Sequence, residues 1–281
     1  MMLPEARSLR PRRQPRWAGR TPARSGRSEA RAERVIRATS GRRAADRVRP
    51  LVVTLAATQE GIVTLEQIAQ RLGHTTAEVG LRAMAAREEI EQVLPTVWVH
   101  AATGRLPGWD RVLEAQARWL ALEPNLTLTQ RSRRDRDADD TIAVIGGGAA
   151  CAKWGIEGLV WGPELYVPVP TDRVRSDDEV EVVVEPVPRA DVVWIDRFPY
   201  LTPEATLARG YDATGDLDRV AEALSSAMWR LYPLRPDRLR HHFVVAQRRT
   251  ADTTRDDDTI YEFLIGRAGG WPRQAEREYG A

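Results

Sequence analysis

Apolar residues recur at helical spacing in several segments after residue 46, whereas the first 46 residues show no such period. The stretch from Arg47 to Gly61 predicts one short helix that ends at the glycine. A second helix is predicted in VTLEQIAQRLG, because Thr64 is a good N-cap, Gln67 lies three residues later, and Gly73 is placed to end the helix. Its apolar residues share one face: Leu65, Ile68, Ala69 and Leu72.

A third helical segment, TTAEVGLRAMAAREEI, follows after His74. Thr75 with Glu78 predicts a second capping box. The predicted buried stripe consists of Val79, Ala83, Met84 and Ile90. In the next stretch, EQVLPTVWVHA, alternating valines flank a Leu-Pro-Thr turn and predict a hairpin. Two capped helices joined by a tight turn and followed by a hairpin predict a winged helix-turn-helix DNA-binding domain over residues 47–105.

From residue 107 onward, helical and alternating patterns are mixed. PGWDRVLEAQARWLALEP predicts an amphipathic helix, and residues 130–141 predict a charged loop. Short strands are predicted in TIAVI, ELYVPVP, EVEVVVEP and DVVWI. Further helices are predicted with Thr202 and Asp216 as caps, and in residues 236–245 and 256–265. The predicted fold class is therefore α+β: an N-terminal winged helix-turn-helix followed by a mixed α+β domain over residues 107–281.

Charge is distributed unevenly along the chain. Residues 1–50 carry 15 arginines and a net charge of +11, whereas the remainder carries −9. A basic arm on an acidic body is typical of a nucleic-acid binder with a separate partner surface. Residues 1–46 are predicted to be a disordered, arginine-rich arm. Two other interpretations stay open, namely a tail without function and upstream DNA translated from a misplaced start codon.

Several classes of site are disfavoured by composition. Cys151 is the single cysteine, and the four histidines lack ligand-like spacing, so neither a disulfide nor a metal site is expected. No apolar run approaches the ~20 residues of a membrane helix, and no signal-peptide core follows the basic N-terminus. We therefore expect a cytoplasmic protein that does not contact a membrane.

The segment TIAVIGGGAACAKWGIEG raises the question of a dinucleotide site. Gly146 and Gly148 fit a GxGxxG motif, but Cys151 occupies the third glycine position and the following helix has room for about two turns. The interpretation we favour is a tight strand-to-helix junction, in which small residues allow close packing against Trp154. The acidic pairs in DADD, SDDE and RDDD are predicted to be solvated loop charge. We therefore predict no enzyme activity, no cofactor and no small-molecule substrate.

The third helix is predicted to enter the major groove of double-stranded DNA with its N-terminus first, and the hairpin turn, residues 94–96, is predicted to lie by the minor groove. For each candidate, ordinary surface charge or helix capping is the competing interpretation. The predicted DNA-binding residues are Arg42, Arg43, Arg47, Arg49, Thr75, Thr76, Arg82, Arg87 and Thr96.

Two segments resemble the AbiEi-like antitoxins of type IV abortive-infection toxin–antitoxin systems. One is AVIGGGAACAKWGI, which contains Lys153-Trp154-Gly155-Ile156. The other is IDRFPYLTPEATL, residues 195–207, in which Arg197 replaces a usual glycine. The first segment often carries Ser-His-x-Ser in that family, where this chain has Gly146-Gly147-Gly148-Ala149.

The resemblance implies a DNA-binding autorepressor that binds inverted repeats in its own promoter. It also implies an antitoxin that counteracts a nucleotidyltransferase-like toxin. The alternative is a stand-alone winged-helix regulator or a protein-interaction scaffold without a toxin partner.

Overall fold

A computed structural model describes residues 25–103, 109–138, 141–159, 161–229, 234–249 and 259–271. The chain forms two compact units, Met1–Ser40 and Gly41–Ala281. Of the arm predicted over residues 1–46, residues 1–24 lie outside the described ranges. From Ser25 the chain differs from the prediction of disorder, because helix α1 covers Ser25–Thr58. Arg, Ala and Glu have high helix propensity without forming an apolar stripe, which is the signal the sequence analysis used.

In the second unit, residues 41–103 fold as three helices and a small sheet. After α1 come β1 (Ile62–Thr64), α2 (Leu65–Leu72), α3 (His74–Ala85), β2 (Ile90–Leu94) and β3 (Val97–His100). The strands form an antiparallel sheet in the order β1-β3-β2. Val48 of α1, Ile68 of α2, Leu81 of α3 and Trp98 of β3 belong to one buried cluster. The predicted hairpin and the Thr64–Gln67 capping box are confirmed, whereas β1 was not anticipated.

Helix α3 differs in detail from its prediction. It begins at His74, its N-cap is Gly73 without a side-chain hydrogen bond, and it ends at Ala85. The predicted Thr75–Glu78 capping box is therefore wrong. The buried residues are Ala77, Gly80, Leu81 and Met84, so the buried stripe is rotated from the predicted one. Val79 is exposed, and Ile90 is the first residue of β2.

Gly80 sets how closely α3 packs against α1. A Cβ on Gly80 would lie 2.5 Å from Val48 Cγ2 and 2.9 Å from the carbonyl oxygen of Ala44, both in α1. The two helices therefore cross at a distance that requires a residue without a side chain at position 80. Of the predicted stripe, Met84 is buried as expected, whereas Leu81 and Gly80 were not predicted to face α1.

The remainder is a mixed α+β structure. The helices are α4 (Trp109–Leu122), α5 (Leu128–Asp137), α6 (Gly147–Trp154), α7 (Pro203–Thr214), α8 (Leu217–Trp229), α9 (Pro236–Arg249) and α10 (Thr259–Arg267). The strands are β4 (Val144–Gly146), β5 (Pro163–Val167), β6 (Glu181–Val184), β7 (Val192–Ile195) and β8 (Phe198–Leu201). They form a mixed sheet in the order β6-β5-β4-β8-β7, in which β4 is antiparallel to β5 and parallel to β8.

Two predictions in this part need correction. Residues 130–141 were predicted to be a charged loop, but α5 occupies most of them and begins with a Thr127–Gln130 capping box. Its buried positions are Leu128, Arg131, Ser132 and Asp135, a helical stripe made mostly of polar residues, which a search for hydrophobic periodicity misses. Strand β8 was also missed. The caps Thr202 and Asp216 are confirmed, because their side chains accept from the backbone amides of Ala205 and Arg219.

The boundary predicted between residues 105 and 107 does not separate two cores. Ile62 and Val99 of the small sheet belong to the same buried cluster as Trp119 of α4 and Phe198 of β8. The chain from Gly41 to Ala281 accordingly forms one compact unit. Across the described residues, no helix combines the length and apolar character needed to cross a membrane.

Candidate nucleic-acid interface

Helices α2 and α3 are connected through Gly73 alone, which has φ 79° and ψ 150°. A positive φ is readily adopted by glycine, so this residue reverses the chain direction without strain. The amide of Gly73 closes α2 by donating to the carbonyl of Ala69 at 2.8 Å, and its carbonyl accepts from Ala77 of α3 at 3.1 Å. The sequence thereby fixes the angle at which the start of α3 is presented.

The outer face of α3 carries Thr75, Val79 and Arg82, which are spaced so that they share one side of the helix. Thr75 is exposed, Thr76 is partly buried, and the side chain of Val79 is 38% exposed. Arg82 is 72% exposed and its Nη2 lies 2.7 Å from Glu78 Oε1. This face offers a hydroxyl, an apolar group and a guanidinium, and the ion pair with Glu78 leaves most of the guanidinium accessible.

The arginines of α1 fall into two groups. Arg42, Arg43 and Arg47 are exposed, and none of their side chains forms an ion pair within the described residues. Arg49 instead donates from Nε and Nη2 to both oxygens of Glu89, at 2.7 and 2.9 Å, and from Nη1 to Asp46. The hydrogen bond with Glu89 raises the pKa of Arg49 and lowers that of Glu89. Arg49 therefore ties α1 to the segment that precedes β2.

The remaining predicted contact residues lie around the hairpin. Arg87 is exposed in the turn after α3, and its Nη1 lies 3.7 Å from Glu89 Oε1. Thr96 lies in the turn between β2 and β3 and is partly buried. Its carbonyl accepts from the amide of Leu65 at 2.9 Å. The backbone of Thr96 thus holds the first residue of α2. Because its side chain is partly buried, it is less accessible to DNA than predicted.

Two residues beside the α2–α3 connection were not predicted as contacts. Arg71 is exposed in the last turn of α2, with no side-chain ion pair among the described residues. His74 is the first residue of α3, and its side chain is 66% exposed. The available signal was an arginine in the last turn of a predicted helix, two residues before the glycine that ends it.

The glycine-rich segment is a close-packed junction, as predicted, between β4 and α6. A Cβ on Gly147 would lie 2.4 Å from the carbonyl oxygen of Gly162, and one on Gly148 would lie 2.4 Å from that of Trp161. The amide of Gly148 already donates to Gly162 at 2.8 Å. The packing partner is thus the chain around residues 161–164 instead of Trp154. Burial raises the pKa of the neighbouring Cys151 thiol to about 12, so the thiol stays protonated at neutral pH.

The two segments that carry the family resemblance lie side by side. Ile145 in β4 pairs with Tyr200 in β8. Lys153 Nζ lies 2.8 Å from Asp196 Oδ2, and the indole of Trp154 donates to the carbonyl of Leu201 at 2.8 Å.

Arg197, which stands where the family usually has glycine, adopts φ 70°. The left-handed backbone there explains why glycine suits this position.

No group of three or more His, Cys, Asp or Glu side chains in the described ranges is arranged to hold a metal ion. Comparisons with protein-family models, curated proteins and solved structures give no match for this chain.

Proposed function

We propose that this protein is a DNA-binding autorepressor whose residues 41–103 act as a winged helix-turn-helix. The observation that carries the proposal is the element order α1-β1-α2-α3-β2-β3 with the sheet order β1-β3-β2, which supports the winged-helix interpretation. The one-residue connection at Gly73 is shorter than the ~3–4-residue turn typical of this motif. Glycine at that point supports the tighter reversal.

In the proposed complex, α3 enters the major groove and the β2–β3 turn lies over the adjacent minor groove. Thr75, Thr76 and Arg82 face the bases or the neighbouring phosphates, and Arg87 contacts the backbone. Arg42, Arg43 and Arg47 of α1, which form no ion pair with a described residue, contact phosphates outside the groove. We add Arg71 to the proposed phosphate contacts and remove Arg49, because the N–H groups of Arg49 already donate to Glu89 and Asp46.

We further propose that the α+β part acts as an antitoxin against a nucleotidyltransferase-like toxin of a type IV toxin–antitoxin system. This part rests on the resemblance of the two segments around Trp154 and Pro203, and their contact across β4 and β8 supports it. The competing function is a stand-alone regulator without a toxin partner. Co-expression with the neighbouring gene separates the two, because an antitoxin restores growth when that gene's product is toxic and a stand-alone regulator does not.

The DNA-binding proposal is tested by titrating the full chain against its own upstream DNA and against a scrambled duplex at physiological salt. We expect a preference of at least ~10³-fold for the upstream DNA. Arg82→Gln should remove most of that preference, because it deletes the guanidinium on the outer face of α3. Equal binding to both duplexes would refute sequence-specific recognition.

A matched control comes from Arg267→Gln. Arg267 is 64% exposed at the end of α10 and pairs with Asp218 at 3.1 Å, which closely parallels the Arg82–Glu78 pair. The two substitutions therefore remove the same charge from similar surroundings. We expect Arg267→Gln to leave the preference unchanged, so equal losses in both variants would indicate a general charge effect instead of recognition by α3.

A further inference from the structure

A cavity of about 450 Å³ lies beside α5, outside the proposed DNA interface. Its apolar wall includes Leu122, Ile142, Val167 and Val169. Ile142 and Val167 are buried, whereas Val169 is 64% exposed, so the cavity opens to solvent on the side of Val169. Its volume falls within the ~300–1,000 Å³ range of small-molecule sites.

The base of the cavity contains a buried cation, Arg131. Its guanidinium carbon lies 3.6 Å from the centroid of a Trp119 ring, and its Nη1 donates to the carbonyl of Trp119. Its Nε lies 3.4 Å from Asp135 Oδ2, which is long for a charged hydrogen bond. Burial lowers the pKa of Arg131 to about 10, so it remains charged at neutral pH. Because its one contact with a carboxylate is long, the buried charge of Arg131 is incompletely neutralised and attracts an anion into the cavity.

The carboxylates that line the cavity are already occupied by another arginine. Asp135 Oδ1 accepts from Arg134 Nε at 3.0 Å, so this carboxylate is shared between two guanidinium groups. Glu123 Oε1 accepts from Arg134 Nη2 at 2.7 Å. Among the described residues that line the cavity, two carboxylates lie with the three guanidinium groups of Arg131, Arg134 and Arg173. One positive charge is left in excess.

That excess is located at Arg173. Its side chain is exposed where it lines the cavity, and it forms no hydrogen bond or ion pair with any described residue. Thr171, also on the lining, uses its hydroxyl to accept from the backbone amide of Arg173 at 3.2 Å, which fixes the local turn. The cavity thus combines an apolar wall, a buried cation at its base and a free cation at its mouth.

We propose that this cavity binds a small organic anion, whose phosphate or carboxylate is held by Arg173 and Arg131 and whose apolar body packs against Ile142, Val167 and Val169. Phosphate and carboxylate are both negatively charged, and each offers a pair of oxygens that can accept two hydrogen bonds from one guanidinium group.

The position of the cavity connects it with α2. Glu123 begins the loop between α4 and α5, and two carbonyls of that loop accept hydrogen bonds from α2 and from its N-cap. Thr64 Oγ1 donates to Pro124 at 2.6 Å, and Gln67 Nε2 donates to Leu126 at 2.7 Å. A ligand bound in this cavity lies beside Glu123, so it would change the position of this loop and, through these two hydrogen bonds, the orientation of α2. This consequence for DNA binding rests on the function proposed above, whereas the ligand site itself does not.

The site is tested by calorimetric titration of the full chain with phenyl phosphate and with phenylacetate, using phenol as the neutral probe. We expect at least one anion to bind with a dissociation constant of about 1 mM or tighter, and phenol not to bind. The two anions distinguish a phosphate ligand from a carboxylate ligand. Binding of neither anion, or binding of phenol as tight as that of the anions, would overturn the proposal.

Arg173→Gln removes the free cation without touching the core, and it should weaken anion binding by about tenfold or more. Arg175→Gln is the matched control, because Arg175 is an exposed arginine two residues away that does not line the cavity. Equal affinities in the unchanged chain and in Arg173→Gln would contradict the assignment.

A DNA titration with and without the bound anion tests the link to α2. Anion binding that leaves DNA affinity unchanged would refute the link and retain the site. Failure to bind DNA at all would instead count against the proposed function.

Discussion

At the residue scale, burial changes the pKa of the Glu164 carboxyl. Glu164 lies in β5 with its side chain buried, and its Oε2 accepts a hydrogen bond from the hydroxyl of Tyr166 at 2.6 Å. Burial raises the pKa of this carboxyl above its ordinary value, and the hydrogen bond from Tyr166 offsets part of that rise. The folded state therefore keeps the proton to a higher pH than the unfolded chain does.

This gives a pH-dependent prediction for Glu164→Gln. Folding raises the pKa of the Glu164 carboxyl. The protonated carboxyl therefore contributes fully to stability at pH values below its pKa in the unfolded chain, and this contribution is lost as the pH rises through its pKa in the folded state. Gln resembles the protonated carboxyl and does not titrate. We therefore expect the variant to match the unchanged protein at about pH 4 and to exceed its free energy of unfolding at about pH 8.

Urea unfolding at both pH values measures this difference. Glu222→Gln serves as the control, because Glu222 is exposed on α8 and should show the same small effect at both pH values. A Glu164→Gln variant that is less stable at the higher pH would show that the charged carboxylate is the favoured form in the fold.

At the element scale, the crossing of α1 and α3 depends on the absence of a side chain at Gly80. An alanine there would place its Cβ within 3.0 Å of Val48 Cγ2 and of the carbonyl oxygen of Ala44. Backbone atoms of a helix cannot give way without moving the helix. The orientation of α3, and with it the proposed DNA-binding face, is therefore set by Gly80, which packs against α1 on the other side of the helix.

We predict that Gly80→Ala lowers the free energy of unfolding by about 1–2 kcal/mol, since the overpacking cost of ~1–3 kcal/mol outweighs the gain in helix propensity. Gly41→Ala provides the comparison, because its Cβ would meet Ala83 Cβ at an ordinary 3.6 Å. That variant should gain about 0.5–1 kcal/mol. Thermal and urea unfolding of both variants check the prediction, which fails if Gly80→Ala is as stable as Gly41→Ala.

Some of the helices could be predicted from the sequence and others could not. Capping residues Thr64, Thr202 and Asp216 act locally, and the helices that they begin were predicted. Helix α5 was missed because its buried stripe is polar, with Arg131 and Asp135 facing inward. A polar residue can be buried when partners from distant parts of the chain satisfy it, and hydrophobic periodicity carries no information about such partners.

At the scale of the whole molecule, a buried amide network joins residues 41–103 to the α+β part. Gln59 Nε2 donates to Gln67 Oε1 at 2.9 Å and to the carbonyl of Ile62 at 3.0 Å. Gln59 Oε1 accepts from the amide of Leu128, the first residue of α5, at 2.8 Å. One side chain thus connects α1, α2 and α5.

We predict that Gln59→Leu lowers the free energy of unfolding by at least about 2 kcal/mol, because it leaves the amide of Leu128 without a buried acceptor and removes the hydrogen bonds that Gln59 donates to Gln67 Oε1 and to the carbonyl of Ile62. Gln92→Leu is the matched control: Gln92 is exposed and donates to the carbonyl of Pro95 at 2.9 Å. It should change stability by less than about 0.5 kcal/mol. Similar urea midpoints for the two variants would show that the network does not contribute to the fold.

The sequence by itself determined what depends on neighbours along the chain. These features include the caps at Thr64, Thr202 and Asp216, the glycine turn at Gly73, the hairpin around Pro95 and the tight junction at Gly146–Gly148, because each needs a few residues with specific backbone or hydrogen-bonding properties.

Only the tertiary structure decided which face of α3 is buried, that Arg49 is bound by Glu89, that Arg131 lies beneath a cavity, and that the two predicted domains share a core. These outcomes depend on residues tens of positions apart. The physical reason is that burial and ion pairing are set by which surfaces meet, and the local pattern does not specify that.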